Sequence, residues 1–259
     1  MSRHAVWDPV QYAVFEDERG RPFAELLARV TPARPPRTVV DLGCGDGGLT
    51  ATLAGRWPGA AVTGLDSSAE MIARARPEPG LDFTVGDIAG WHPDEPVDVI
   101  VSNAALHWVP GHAGMLPRWF GALAPGGVLA FQVPGNHAAP SHALLRELTE
   151  APRWRDRLAG TVARRPVLDP AGYLDLLAPL GARVDAWETT YAQVLPGPDP
   201  VLEWVKGTAL RPVLAALDEA AAGDFLAEYA GLLREAYPPA PHGTVFPFRR
   251  IFVVAGRSP

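Results

Sequence analysis

Residues 41–50 read DLGCGDGGLT, and these ten residues could hold either of two ligands. Counted from Gly43 they spell G-x-G-x-x-G (Gly43, Gly45, Gly48), the turn that cradles a dinucleotide pyrophosphate. Counted from Asp41 they spell D-x-G-x-G-x-G. Glycines suit both ligands, because a backbone without side chains can approach closely and take positive φ. Charge separates the two readings. A pyrophosphate is anionic and seeks a helix N-terminus free of other anions, whereas this loop brings Asp41 to a strand end and Asp46 between its glycines. S-adenosylmethionine has no phosphate; it offers an ammonium, a carboxylate, a sulfonium and a ribose, and its cationic parts suit an acidic loop.

Three further polar residues continue the pattern. Asp66 ends the run AAVTGLD, where a carboxylate can accept both ribose hydroxyls, a role common to both ligand classes. Asp87 ends LDFTVGD and is followed by Ile88, a pair suited to an adenine amino group and ring face. Asn103 ends VDVIVSN, beside the expected place of the methionine part or sulfonium. Taken singly, each is a common helix-cap or turn residue. Four at four successive strand ends, with LAPGGVLAF following, form a joint signature of S-adenosylmethionine.

The elements that must position these residues alternate along the chain. RTVVDLG (37–43) is a short apolar run ending in glycine, and GGLTATLAGRWPG (47–59) has helical spacing at Leu49, Leu53 and Trp57. SSAEMIARAR (67–76) opens with serines suited to N-capping. Strands at 37–43, 60–66, 81–87, 97–103 and 126–133 alternating with helices predict an α/β fold, a doubly wound, mostly parallel seven-stranded sheet of Rossmann-like type. Residues 1–36 read as an N-terminal helical segment closing the site, and 37–133 as the cofactor-binding core. Residues 134–170 and 199–240 read as a helical cap over the sheet, with 171–198 and 241–259 supplying the remaining helix and strands. Ligands of such sheets sit at the carboxyl ends of the strands, where the order switches.

Composition sets outer bounds. With 259 residues, 47% hydrophobic and 20% charged, the chain can bury a full core. The N-terminus lacks the apolar run of a signal peptide, and no segment approaches the ~18 unbroken apolar residues of a membrane span; a soluble, cytoplasmic protein is expected. The single cysteine, Cys44, excludes an internal disulfide and a multi-thiolate metal site, and no metal is expected. A net charge of −6 argues against nucleic acid as the main partner. Arginine outnumbers lysine 22 to 1, so no arginine is special by type alone.

The array from residue 37 to about 133 resembles the class I S-adenosylmethionine-dependent methyltransferases. The resemblance goes further: WDPVQYAVFEDERGRPFAELLARV at the start, HWVPGHAGMLPRWFGALAPGGVLAFQVPGN in the middle, EWVKGTALRP (203–212) and FPFRRIFVVA (246–255) are similar to the trans-aconitate 2-methyltransferase family almost end to end. It implies methyl transfer to a carboxylate oxygen of a small tricarboxylic acid, giving a monomethyl ester. It also implies that Asp41, Gly43, Gly45, Asp66, Asp87 and Asn103 contact the cofactor, and that Trp7 and Tyr12 lie near it or close the site. The loop departs from many relatives in carrying Asp46 and Gly47, which adds a negative charge to the rim.

A carboxylic acid with pKa of about 4 is already ionised at neutral pH, so an ester-forming enzyme of this kind needs no general base. His107 is the weak candidate for one; the alternative is a hydrogen-bonding lid residue. Cys44 reads as a packed residue, since no paired histidine is evident. A polyanionic substrate demands buried donors. Arg211, seven residues after Trp204, would share a helix face with it. Of the consecutive Arg249 and Arg250, strand alternation allows one to face the site. Trp204, Arg211, Arg249, Arg250 and His107 are therefore the substrate-side candidates, with His137 and His142 weaker. Three rivals remain open on the residues alone: a methyltransferase of secondary metabolism acting on O, N or C, a nicotinamide-dependent oxidoreductase, and a non-catalytic S-adenosylmethionine-binding module. Oligomeric state is not legible.

Overall fold

The computed structural model describes residues 16–162 and 167–259. Trp7 and Tyr12 lie outside them. The strands are β1 (Thr38–Leu42), β2 (Ala61–Asp66), β3 (Leu81–Val85), β4 (Val97–Asn103), β5 (Leu123–Pro134), β6 (Arg183–Leu195), β7 (Pro239–Ala240) and β8 (Gly243–Gly256). They form one sheet in the order β3-β2-β1-β4-β5-β8-β6, with the two-residue β7 paired to β8. Neighbours from β3 to β5 run parallel, and β8 lies antiparallel to β5. The α/β, doubly wound reading holds.

The central strands form because their apolar runs are buried on both faces, as parallel sheets require. All of Val97 to Ser102 is buried, and so are Val39 and Leu42. The order reverses between β1 and β4: the chain winds outward through β2 and β3, then returns to the other side of β1. This is the switch point at which such sheets bind ligands, and it sets the tips Asp41–Leu42 and Asn103 side by side. At the opposite end, buried Asp98 ties the pair together, accepting from the Arg37 and Thr38 amides at 2.8 and 3.2 Å.

The chain divides into two compact units. The larger, described over residues 19–134, 167–189 and 250–259, holds the sheet's parallel part and a core that includes Leu42, Ile100, Trp119, Phe131, Tyr173 and Ile251. The smaller, described over residues 16–18, 135–162 and 190–249, is mainly helical. Its core gathers Trp154, Phe225, Tyr229 and Tyr237 around Phe246 and Phe248.

One expectation is overturned inside the smaller unit. Trp204 and Arg211 do not share a helix: Pro200–Lys206 and Arg211–Ala215 are separate helices, joined by turns. Gly207 closes the first, and Pro212 lies in the first turn of the second. A proline inside one continuous helix would remove a hydrogen bond and clash with the preceding turn, whereas at a helix start it costs nothing.

Candidate functional site

The glycine loop runs from β1 into the helix Gly48–Arg56. Gly43, Gly45 and Gly47 all take positive φ, at 86°, 60° and 81°, the region that only glycine enters without strain. Gly43 is also required sterically, since a Cβ there would fall 2.2 Å from the Cβ of Ala105 in the loop after β4.

The fate of the loop's N–H groups decides which ligand it suits. Gly43 and Cys44 both donate to the Leu65 carbonyl, at 2.7 and 3.1 Å. Gly45 donates to Asp66 Oδ2 at 2.9 Å, and Gly47 to the Cys44 carbonyl at 3.1 Å. At the helix entrance, the Gly48 N–H goes to Asp46 Oδ1 at 3.2 Å. A phosphate cradle needs these donors turned outward; here five of them are consumed inside the protein, and the exposed Asp46 carboxylate occupies the helix start.

What the loop offers instead is acceptors. Asp41, only 3% exposed, accepts from Thr50 Oγ1 through Oδ2 at 2.6 Å, while its buried Oδ1 has no hydrogen-bond partner among the described residues. Burial, with the nearby charge of Asp66 adding to it and the Thr50 bond opposing it, pushes its carboxyl up to about 6. A buried carboxylate oxygen left without a donor costs free energy until a cation or donor reaches it. Asp66 is half-buried, and each of its oxygens already takes one N–H, Gly45 at Oδ2 and Ser68 at Oδ1, both at 2.9 Å. A carboxylate has about four lone-pair positions, so both oxygens keep capacity for a hydroxyl pair. These features fit an ammonium and a ribose.

Asp87 is exposed, its Oδ1 accepting from the Ala89 amide at 2.8 Å, and the following Ile88 is buried. Asn103 is half-buried at the β4 tip, where its Oδ1 accepts from Gln132 Nε2 at 2.7 Å. Directly after it, Ala104 sits at φ 52°, a left-handed conformation that costs a non-glycine residue ~1–2 kcal/mol. Its N–H donates to the Gln132 carbonyl at 2.9 Å. His107 follows in the short turn Leu106–Trp108, half-buried with its ring 4.7 Å from that of Trp108. The Cys44 thiol is pushed far up by burial and then by Asp41 and Asp66, which keeps it protonated and unreactive.

The arginine candidates are distributed over both units. Arg250, in the larger, is 4% exposed and donates from Nη1 to Gln132 Oε1 at 3.1 Å. Arg249 and Arg211, in the smaller, are half-buried. Both backbone groups of Arg249 bond to Asn136, the N–H to Oδ1 at 2.8 Å and the carbonyl to Nδ2 at 3.1 Å. Trp204 is a core residue of the smaller unit, its ring 5.7 Å from Phe246 and 5.3 Å from Phe248. His142 is pulled down to about 4 by burial and by Arg146 and His137, so it is neutral at pH 7.

Two functional candidates escaped the sequence reading. Gln132, fully buried at the β5 tip, was marked only by being polar inside the apolar run VLAFQV. Thr50 was hidden in an ordinary helix face. Among the described residues, no three or more His, Cys, Asp or Glu gather as they would to hold a metal, and no helix is long and apolar enough to cross a membrane.

Fold and loop together define a class I S-adenosylmethionine-dependent methyltransferase. Residues 39–127 match the methyltransferase domain family. A trans-aconitate 2-methyltransferase of Streptomyces avermitilis is 55% identical over 97% of each chain, and one of Rhodococcus jostii is 54% identical over 96% of this chain and 99% of its own. The chain belongs to the trans-aconitate 2-methyltransferase family. Among solved structures, an S-adenosylmethionine-dependent methyltransferase from Mesorhizobium loti shares the fold, at TM-score 0.52 and 23% identity over 93% of this chain and 99% of its own.

Proposed function

We propose that this chain esterifies a carboxylate of trans-aconitate in the cytoplasm, giving the monomethyl ester. The observation that carries the cofactor half is the inward-turned loop with its open acceptor on Asp41; the substrate half is supported by the name borne by its relatives. In this reading Asp41 Oδ1 meets the ammonium, and Asp66 takes the ribose hydroxyls. Gly43 and Gly45 let the backbone come close. Asp87 accepts from the adenine amino group while Ile88 packs on the ring, and Asn103 meets the methionine end. S-adenosylmethionine, when bound, supplies a methyl on a positively charged sulfur, already activated for transfer.

The chain's own work is then placement. An acid ionised at pH 7 needs no proton removed, so holding the carboxylate in line with the methyl at near-attack distance is the main contribution. Arg211, Arg249 and Arg250 are the candidates for holding the acid's other carboxylates. The decisive experiment is a labelled-methyl transfer assay over a panel of mono-, di- and tricarboxylic acids, phenols and amines. Transfer to trans-aconitate as a base-labile ester supports the reading; transfer only to a phenol or amine overturns it.

Two substitutions test the details. His107→Ala is expected to keep kcat within about threefold of the parent at saturating substrates, with no inflection near pH 6.5 in the rate profile. A hundredfold loss, the scale general bases supply, would restore a base-dependent mechanism. Arg211→Leu is expected to raise the KM for trans-aconitate by about 10-fold, the lower end of a hydrogen bond to a charged group at a half-buried site. Affinity for S-adenosylhomocysteine, measured by calorimetry, should not move. An unchanged KM would remove Arg211 from the acid's contacts.

A further inference from the structure

Three side chains of the larger unit form a chain of hydrogen bonds across three adjacent strands. Arg250 Nη1 on β8 donates to Gln132 Oε1 on β5 at 3.1 Å, and Gln132 Nε2 donates to Asn103 Oδ1 on β4 at 2.7 Å. Gln132 is the residue in register with Asn103 across the β4–β5 pair. Both Gln132 and Arg250 are buried, at 0% and 4% exposure. An amide is symmetrical in shape, so which end faces where is a question of chemistry. A guanidinium has five N–H groups and no acceptor. Gln132 must therefore show it the carbonyl oxygen, which turns the amide nitrogen toward Asn103. Facing a group that only donates, Asn103 must present Oδ1, and its own NH2 is directed elsewhere; among the described residues, Nδ2 makes no hydrogen bond. The backbone at this tip is pinned too, by the Ala104 amide on the Gln132 carbonyl.

We infer that Gln132, keyed by Arg250, is a positioning residue that makes Asn103 an obligate donor, and that the group Asn103 recognises is a ligand carboxylate. The inference rests on the functional reading above. Two ligands of that reading carry carboxylates, the amino-acid end of the cofactor and the acid substrate, and the same experiment tells them apart.

Gln132→Glu keeps the length and shape of the side chain and its contact with Arg250, but a carboxylate only accepts. Asn103 must then turn its NH2 inward and show an oxygen to the ligand. Calorimetry with S-adenosylhomocysteine, and the KM for trans-aconitate, are measured on the full chain for Gln132→Glu, Gln132→Met and Asn103→Ala, and for each Gln132 substitution combined with Asn103→Ala. At least a 10-fold loss is expected with Gln132→Glu and a smaller loss with Gln132→Met, which merely releases Asn103. In the Asn103→Ala background, either change should add less than twofold, because there is no amide left to turn. A fall in S-adenosylhomocysteine affinity assigns the carboxylate to the cofactor; a raised KM with that affinity intact assigns it to the acid. Parental behaviour of Gln132→Glu overturns the inference, and so does a loss that persists undiminished without Asn103, which would be direct repulsion or local damage. Should Gln132→Glu fail to unfold cooperatively, Gln132→Met is judged by the same comparison. Failure of the parent chain to bind S-adenosylhomocysteine would instead overturn the functional reading.

Discussion

Asp66→Ala is expected to lower affinity for S-adenosylmethionine by about 150- to 25,000-fold. Two hydroxyl bonds to one carboxylate, each worth ~1.5–3 kcal/mol, account for that range. The protein loses as well, since the same side chain holds the Gly45 and Ser68 amides and thereby couples the glycine loop to the turn after β2. Asp66→Asn separates the two roles. Its single carbonyl oxygen can satisfy one of the two amides, and its NH2 repels the other, so an intermediate affinity with a measurable loss of thermal stability is expected. Calorimetric titration with S-adenosylhomocysteine provides the readout. Affinity within threefold of the parent for Asp66→Ala would reduce this residue to an organiser of the loop.

Asp41→Asn is expected to weaken cofactor binding by about 10- to 150-fold, through loss of one charge-assisted bond worth ~1.5–3 kcal/mol, while stabilising the ligand-free protein. The sign follows from the direction of the shift. A carboxyl raised from 3.8 to about 6 on folding binds its proton more tightly in the native state than in the unfolded one. Below pH 3.8 it is protonated in both states and costs nothing. As pH rises from there to about 6, the unfolded chain loses its proton first, and stability falls by ~3 kcal/mol in total. Asparagine carries no such penalty, so the stability advantage of the variant should appear across that window and stay constant above it. Denaturant unfolding of the ligand-free proteins at pH 4 and pH 8 measures it, and an equal difference at both would show that Asp41 is ionised throughout. The parent's affinity for S-adenosylhomocysteine should also weaken as pH drops below about 6, and that of the variant should not.

The legible parts of this molecule were those written in contiguous residues. Runs such as VDVIVSN and AAVTGLD announce strands because they are short, rich in apolar and β-branched residues and closed by a polar tip, and the glycines and serines that follow mark the turns. The carboxylates at the strand ends were legible for the same reason. The break between Trp204 and Arg211 was not, because apolar spacing continues across it while a glycine and a proline, each tolerated singly near helix ends, together divide the segment. Gln132 and Arg250 escaped notice as a pair because only the pairing of β4, β5 and β8, far apart in sequence, brings them to Asn103. The elevated carboxyl of Asp41 depends on burial by the whole unit, which no local pattern encodes.

The contact between Gly43 and Ala105 also limits how this chain can change over generations. Residue 43 is held to glycine by its backbone angle as well as by the methyl of Ala105 opposite. Any enlargement at 105 pushes against a partner that cannot become smaller, and a retreat of the glycine loop would carry the Gly45–Asp66 bond with it. Ala105→Gly would open room for a methyl group but leave residue 43 at φ 86°, where any side chain is strained, so for a lineage or a directed-evolution library this point is locked twice, and no single step at either residue releases it.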